Sequence, residues 1–493
     1  MVNTWPVHNL TSASTNGVTT SLEHLPTGVV VCTLNVQTPR AAGLAKLIDS
    51  SLSSTLESIA SAPNVKAVVL TSPQTGTFLG LHRTSGVDFV ETAALAEEQC
   101  RRGQELTAFL TEFKKPIVAA IPHSALGNAF EVALACHGRV LGEHPASVLG
   151  LTDIQLGLTP SMAGLQRLSQ LIGVEQTLEY ALSGRFLRPD RARALGVLHL
   201  VVPPTVLLDK AAGLALELAQ KRSSFLPTRL LKNTLLSSVF QQAQAQAKTI
   251  NHLGSAPQKV VSILETLHKS GWKASLHQEA SAIKHLRVSQ LTKALAYAAE
   301  LQTHLPIQSP APASFIERVQ IRYLVEVERL KHDGTSESEV DQALAEWGFS
   351  KKPSTLLESM GISRFAQSAQ QLTQTFGPRF ALPKPTDERI TPPVRVRPTL
   401  GRNSGEPVEE IQMRCVFALV NEALLCLEEG VLQSKTVGDM AVNRELGFPA
   451  FRGGPFYYIH SLGQAEALRR IATYQARRGP IWTPARWFIQ DSN

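Results

Sequence analysis

Two segments of the chain place carboxyl groups where acid–base chemistry is feasible. Residues 115–139 predict a short strand followed by a helix, with Glu131 in the first turn of that helix. Residues 148–168 place Asp153 directly after Thr152 in a polar turn. A pair of carboxyl groups can take a proton from one point of a substrate and return it at another. Each also has a structural explanation, because the helix dipole favours Glu131 in a first turn and Asp153 could cap its turn.

The sequence gives little indication of a nucleotide-binding site, a metal site or a catalytic histidine. None of the 32 glycines are spaced as Gly-x-Gly, and no Gly-x-x-x-x-Gly-Lys occurs, so no predicted turn offers its amides to a pyrophosphate. The five cysteines contain no Cys-x-x-Cys pair and suit packed thiols in a reducing compartment. His82, His123 and His137 are isolated, which favours packed or solvent-facing imidazoles over catalytic bases. We therefore expect no NAD, no other cofactor and no metal.

The composition favours soluble globular domains. The chain has 493 residues, of which 43% are hydrophobic and 18% charged, which suits two to four domains. The net charge of +7 is dispersed, whereas a nucleic-acid-binding surface usually clusters its basic residues. The apolar runs are too short to cross a bilayer. We expect no nucleic-acid partner and no transmembrane segment. The first 27 residues contain no Lys or Arg, unlike a secretory signal or an ordinary mitochondrial presequence.

The front of the chain alternates between strand and helix patterns, which predicts an α/β unit. Strands are expected at 28–36, 65–72 and 117–122, and helices at 42–61 and about 128–138. From about residue 209 to 303 the pattern is helical. Prolines follow at 306, 310 and 312, and a second proline-rich stretch predicts an extended linker. The remaining helices are expected at 314–331, 337–347, 362–376 and within 408–493.

The two acidic segments, together with 76–80 and 183–197, resemble the enoyl-CoA hydratase (crotonase) family, in particular the hydratase half of the mitochondrial trifunctional enzyme α subunit. The resemblance implies an α/β crotonase-like (ββα spiral) domain that adds water to a 2-enoyl thioester. Two glutamates hold the water in this family, and two backbone amides polarise the thioester oxygen. Carried over, the carboxyl groups are those of Glu131 and Asp153, and the amides form an oxyanion hole from Gly80 and Asn128. Acyl-CoA is the ligand that the resemblance implies.

Three departures from the family pattern alter this site. Asp153 is one methylene shorter than Glu, and a shift of ~1 Å in a catalytic group can cost on the order of 10²-fold in rate. Asn128 and Ala129 replace two glycines that give the family access to unusual backbone geometry. Residues 81–85 read Leu-His-Arg-Thr-Ser, where the family has an Ala-Gly-Ala-Asp-Ile type of turn after the position of Gly80.

The end of the chain resembles the helical body of the 3-hydroxyacyl-CoA dehydrogenase half of the same α subunit. The periodic helix at 411–431 precedes Gly438-Asp439, Leu446-Gly-Phe-Pro and Arg452-Gly-Gly-Pro-Phe. The Rossmann domain that binds NAD and carries the catalytic histidine in that family has no counterpart here, so the resemblance implies no dehydrogenase chemistry. Asn421 and Glu422, inside the apolar helix, are interpreted as interior residues that anchor the following loop.

The resemblance implies a specific domain organisation. An N-terminal tail (1–27) is followed by the crotonase-like domain (28–205) and by a helical extension with a linker helix (206–305). All-α 3-hydroxyacyl-CoA dehydrogenase C-terminal-like helical domains follow, the first at 306–382 and the second at 408–493, with a Pro-rich linker at 383–407.

Three functions are compatible with these features. The first is a pseudoenzyme: a trifunctional-α-like protein with lost dehydrogenase and lost or weakened hydratase activity, acting as a structural or accessory subunit of a mitochondrial assembly. Its partners would be a thiolase-like β subunit or other subunits of a mitochondrial complex, in the matrix or on the matrix side of the inner membrane. The second is an active 2-enoyl-CoA hydratase of fatty-acid β-oxidation. The third is an enoyl-CoA isomerase, which needs one base. A pocket filled by Phe130, Met162 or Leu81 would favour the first.

Overall fold

The computed structural model describes residues 11–15, 18–36, 52–73, 78–80, 92–221, 236–304, 313–383 and 407–488. The chain forms two compact units, residues 1–296 and 297–493. No helix in these described ranges has the length and apolar character needed to cross a membrane.

A seven-stranded sheet organises the first unit. Its antiparallel part is β1 (Thr11–Thr15), β2 (Val18–His24) and β3 (Val29–Val36), and its parallel part continues through β4 (Ala67–Thr71), β5 (Ile117–Ile121), β7 (Gly138–Gly142) and β9 (Leu200–Val202). The parallel strands β4, β5 and β7 are buried along their whole length, so β4 and β5 are mainly apolar, whereas β7 also contains the buried Arg139. A separate pair, β6 (Ala125–Leu126) and β8 (Leu149–Gly150), is also parallel.

The N-terminal stretch differs from the expectation of a tail. Its Ser- and Thr-rich residues form β1 and β2, which pair with each other and with β3. The β-branched threonines suit an extended strand, so the polar composition that indicated a tail is that of an outer hairpin.

Helices surround this sheet and the short strand pair. In chain order they are α1 (Leu52–Ser61), α2 (Ala93–Glu112), α3 (Asn128–Ala135), α4 (Gly164–Ile172), α5 (Val174–Ser183), α6 (Pro189–Ala194), α7 (Leu207–Lys221), α8 (Leu236–Thr249), α9 (Ala256–Leu286) and α10 (Gln290–His304). Helix α7 buries Leu207 and Ala211 against Val69 and Val118 of the sheet. Helix α9 is kinked at Gly271 and packs against α2 and α4.

The second unit is helical in its described part. It contains the end of α10, from Tyr297, and then α11 (Ala313–His332), α12 (Glu337–Trp347), α13 (Pro353–Met360), α14 (Ile362–Phe376), α15 (Val408–Glu428), α16 (Lys435–Leu446), α17 (Pro455–Leu462) and α18 (Gln464–Arg478). The described parts of 306–382 and 408–493, predicted as separate helical domains, share one hydrophobic core, in which Tyr323 and Phe417 are fully buried.

Some of the charged and polar side chains buried in this core are paired. Glu326 is fully buried and forms ion pairs with Arg322, Arg329 and Arg414. Asn421 donates to the Thr483 carbonyl and accepts the Ala485 amide, each at 2.9 Å, so it anchors a segment near residue 484 and not, as the sequence predicted, the loop that follows its own helix. Glu422 pairs instead with Arg318 and Arg379.

Candidate functional site

The candidate site lies where the short strands β6 and β8 end. The Gly127 amide donates to the Gly150 carbonyl at 2.9 Å, and Gly127 adopts φ 53° before helix α3 begins at Asn128. The strand β8 leads into the turn Asp153–Leu156. A side chain added at Gly127 would lie 3.8 Å from both carboxylate oxygens of Asp153, so the Asp153 carboxylate reaches the N-terminus of α3. The structure therefore places the Asp153 carboxylate near Gly127, which precedes Asn128.

The turn Phe78–Gly80 carries the other predicted amide donor. The Phe78 amide donates to the Ser124 carbonyl at 2.8 Å, and the turn contacts both β6 and α3. Leu79 has φ 59°, and Leu79 and Ala163 are the two non-glycine residues with positive φ in the described ranges. Such strain tends to persist where the surrounding structure has a function for it. Leu81 and His82 lie outside the described residues.

Glu131 is fully buried, and both of its carboxylate oxygens are occupied by the protein. Oε2 accepts the amides of Met162 and Gly164, each at 2.8 Å. Oε1 accepts the Ser161 amide and the Asn128 side-chain amide, each at 3.1 Å. Two carboxylate oxygens offer about four lone-pair sites, so these donors fill the hydrogen-bonding capacity of Glu131.

Asn128 and Gly164 enclose this carboxylate from two sides. The Asn128 side chain donates to both Glu131 and the Ser161 hydroxyl, where the resembled family has a glycine with no side chain. A side-chain carbon added at Gly164 would lie 2.6 Å from the Glu131 carboxylate, so the backbone of α4 rests directly on it. Phe130 and Met162 are fully buried beside this point. The arrangement leaves Glu131 as a link between α3 and the turn 161–164.

Asp153 differs from Glu131 in its bonding. It retains 8% exposure, and its Oδ2 has no hydrogen-bond partner within the described ranges. Burial raises the pKa of Asp153 to about 6, against the opposing effects of its own backbone amide and of Arg287. A carboxylate with one unpartnered oxygen and a pKa near neutrality can still accept a proton from a bound molecule.

A third buried carboxylate, which the sequence analysis missed, belongs to Glu279 of α9. Its Oε1 accepts the Ala163 amide at 3.0 Å and the Gln104 side chain at 2.8 Å. The signal was present in the sequence, because Ser275, Glu279 and Ile283 follow helical spacing on a buried face, where an unpaired acid is unexpected. Burial raises the pKa of Glu131 and of Glu279, and the Asp153 and Glu279 carboxylates raise that of Glu131 further.

The isolated histidines have separate surroundings. His137 is buried and accepts the Ile117 amide through Nδ1 at 3.0 Å. His123 packs edge-on against His144, with ring centroids 4.6 Å apart. Within the described ranges, no cluster of three or more His, Cys, Asp or Glu side chains could hold a metal ion.

The comparison with known proteins assigns the family of this chain. A family model described as enoyl-CoA hydratase/isomerase matches residues 25–274, which is about half of the chain. The chain belongs to the enoyl-CoA hydratase/isomerase family. This membership confirms the predicted crotonase fold of the front, and the structure adds the largely helical region that follows it.

Relatives in the family extend the likeness beyond the matched domain. The fatty acid oxidation complex subunit alpha of Shewanella amazonensis is 23% identical, in an alignment that covers 95% of this chain and 98% of that protein. The subunit of the same name from Shewanella putrefaciens is also 23% identical, with 93% and 96% covered. Among solved structures, an enoyl-CoA hydratase from Bacillus anthracis is 24% identical, with 51% of this chain and 92% of that chain covered and a TM-score of 0.36.

Proposed function

We propose that this protein is a fatty-acid-oxidation-α-like subunit that has lost dehydrogenase activity, has lost or weakened hydratase activity, and serves as a structural or accessory subunit. The observation that carries this proposal is the bonding of Glu131, whose two oxygens accept four N–H groups of the protein. Hydration by this family needs a water molecule held between two carboxylates, and a carboxylate without a free lone pair cannot hold it.

The alignment lengths support the loss of the dehydrogenase step. The alignment with the Shewanella amazonensis subunit runs over 694 positions although this chain has 493 residues, so more than 200 positions of it have no counterpart here. Unmatched positions of this total number are compatible with the absence of any Gly-x-Gly turn for a dinucleotide. The part that remains is built for packing, since the second unit buries a large apolar core.

The partners and the location follow from the resemblance and belong to the proposal. We expect a thiolase-like β subunit, or other subunits of a mitochondrial complex, to bind the protein in the matrix or at the matrix side of the inner membrane. Acyl-CoA is the small molecule that the altered site would still accept, without NAD or any other cofactor.

Hydration of a short and a long 2-enoyl-CoA by the purified full chain tests this proposal, with Glu131→Gln as the paired variant. Circular dichroism establishes that both proteins are folded. We expect turnover below about 1 per second, the lower end of ordinary enzyme rates, and the same in both proteins. Turnover within the ordinary range that disappears in Glu131→Gln would overturn the accessory role and establish a hydratase.

A second candidate function is enoyl-CoA isomerisation, which the unpartnered Asp153 Oδ2 favours. One base takes a proton from C2 of a 3-enoyl thioester and returns it to C4, so no second carboxylate is required. Conversion of a 3-enoyl-CoA to the 2-enoyl-CoA tests it. Activity that is lost in Asp153→Asn but kept in Glu131→Gln would support isomerisation, and no activity in the wild type would reject it.

A further inference from the structure

Four successive backbone amides at the start of α4 all donate to carboxylates. The amides of Ser161, Met162 and Gly164 donate to Glu131, and the amide of Ala163 donates to Glu279. Helix α4 begins at Gly164 with Ala163 as its N-cap, so the amides of Ala163 and Gly164 belong to a helix N-terminus, where N–H groups have no carbonyl partners within the helix, and those of Ser161 and Met162 belong to the turn before it. Two acidic side chains, one from α3 and one from α9, therefore accept the hydrogen bonds of all four amides in this turn.

The two carboxylates are bonded differently. Glu131 accepts four donors, two on each oxygen. Burial raises the pKa of Glu131, but this bonding opposes the effect of burial and favours the ionised form. Glu279 accepts both of its donors on Oε1, whereas its Oε2 is buried and has no hydrogen-bond partner in the described part of the chain. A charged oxygen in that position would be desolvated without compensation, and a proton on it removes the penalty.

The neighbouring side chain of Gln166 also faces this carboxyl group. Gln166 of α4 hydrogen-bonds Glu279, which lowers the pKa of Glu279 against the effect of burial, and its Nε2 also donates to the Ser275 hydroxyl at 3.1 Å. The Ser275 hydroxyl itself donates to the Ile263 carbonyl at 2.9 Å. The Oε1 of Gln166 is a second buried oxygen without a partner in the described ranges.

The charges that face Glu279 match one buried anion and not two. Helix α3 contributes the Glu131 carboxylate, α2 contributes the Cys100 thiol, and α4 contributes the Arg167 guanidinium. Arg167 is 4% exposed and bonds neutral oxygens, those of Thr107, Thr111 and Met162. Arg167 acts on both carboxylates and lowers the pKa of Glu279, so a single guanidinium faces two acids.

We propose that Glu279 is a positioning residue of this site, held as a neutral carboxylic acid with its proton on Oε2, and that Glu131 is the single anion of the pair. This inference deepens the proposed function, and it rests on the assignment there of Glu131 as a link to the turn 161–164. Glu279 fixes Ala163, the strained residue of that turn, from the opposite side.

The isosteric variants Glu279→Gln and Glu131→Gln should behave in opposite ways. In Glu279→Gln the new amide oxygen accepts the same two donors as Oε1, and the new NH₂ group replaces the O–H. In Glu131→Gln the new NH₂ group faces N–H donors that no longer have an acceptor. Because burial raises the pKa of Glu279, its contribution to stability is present below the unfolded pKa and is lost as pH rises through the folded pKa. Because glutamine does not titrate, Glu279→Gln should not show this loss of stability at high pH.

Infrared spectroscopy and urea denaturation of the full chain test the inference. At pH 7 we expect a protonated-carboxyl band in the wild type that Glu279→Gln abolishes. The urea midpoint of Glu279→Gln should equal that of the wild type at pH 5 and exceed it at pH 9, whereas Glu131→Gln should lower the midpoint at both. If Glu131→Gln does not fold, the presence of the band in the wild type and its loss in Glu279→Gln decide whether the inference holds.

If the wild type shows no protonated-carboxyl band that is lost in Glu279→Gln, the inference is overturned. It is also overturned if Glu279→Gln lowers the urea midpoint as much as Glu131→Gln does. Neither readout depends on turnover. A protein that hydrates 2-enoyl-CoA and still gives the expected band would reject the proposed function alone.

Discussion

At the scale of single residues, the difference between Glu131 and Asp153 decides what the site can do. The sequence predicts both positions, because each lies in a motif with a recognisable family pattern. It does not predict their bonding. The Asn128 side chain donates to Glu131, and Asp153 is left with an oxygen that has no partner in the described ranges. These contacts depend on where the turn 161–164 lies, which is fixed by helix packing and not by local sequence.

Restoring the family's residues should restore part of the chemistry. The double variant Asn128→Gly/Asp153→Glu frees Glu131 Oε1 from one donor and lengthens the second carboxylate by one methylene. We expect hydration of a 2-enoyl-CoA to rise by about 10²-fold over the wild type, the factor that misplacement of a catalytic group costs. The single variants serve as controls and should gain less. Unchanged turnover in a folded double variant would mean that neither departure limits the reaction.

At the scale of elements, the strands and many helices follow from hydrophobic pattern. The predicted helices 337–347 and 362–376 occur at those positions. The N-terminal hairpin and the short helix Pro353–Met360 were missed, because a polar hairpin and an eight-residue helix carry weak periodic signals. The role of α9 at the site was missed for another reason, since its contact with 161–164 joins residues far apart in sequence.

The close approach of α4 to Glu131 makes Gly164 a sensitive position. In Gly164→Ala the added carbon would lie 2.6 Å from the carboxylate, so either the turn or the side chain must move. We expect a loss of about 1–3 kcal/mol in the free energy of unfolding, measured by urea denaturation. Gly213→Ala is the matched control, because nothing lies within 4 Å of its added carbon in helix α7, and it should stabilise the protein by ~0.4–1 kcal/mol. Equal effects in the two variants would contradict the packing described here.

At the scale of the whole molecule, the two units bury acidic groups in different surroundings. The first buries carboxyl groups whose pKa values are raised. The second also buries one such group, Asp439, whose pKa burial raises to about 7, but it holds Glu326 among arginines. Burial alone would raise the pKa of Glu326, but Arg322, Arg414 and Arg329 outweigh it and lower the pKa to about 2. Composition predicts neither arrangement, since it gives the number of charges and not their partners.

This contrast predicts opposite responses to pH. The contribution of Glu326 is present above its unfolded pKa of about 4 and is lost as pH falls through its folded value, so acid should destabilise the second unit. The first unit should instead lose stability as pH rises through the raised pKa values of Asp153 and Glu279. Thermal unfolding followed by limited proteolysis, which identifies the unit that opens first, measures both. The same unit opening first at pH 4 and at pH 9 would contradict the assignment.

Removal of Glu326 should be costly at neutral pH. Glu326→Gln leaves three arginines facing a neutral amide, and breaking a buried ion pair costs about 3–5 kcal/mol of unfolding free energy. Glu466→Gln is the control, because its partners Arg469 and Arg470 lie at the surface and solvent screens such pairs. Urea denaturation at pH 7 gives both values. A loss of unfolding free energy no larger than that of Glu466→Gln would show that the ion pairs of Glu326 do not stabilise the second unit.

The most direct test of the central claim, that Glu131 is bound into the turn 161–164, is hydrogen exchange of those four amides, followed by mass spectrometry. In the wild type we predict slow exchange, comparable to the interior amides 168–172 of α4, because every one of the four donates to a buried carboxyl group. In Glu131→Gln we predict faster exchange confined to the turn. Wild-type amides at 161–164 that exchange as quickly as an exposed turn would contradict the claim and leave Glu131 free to hold water.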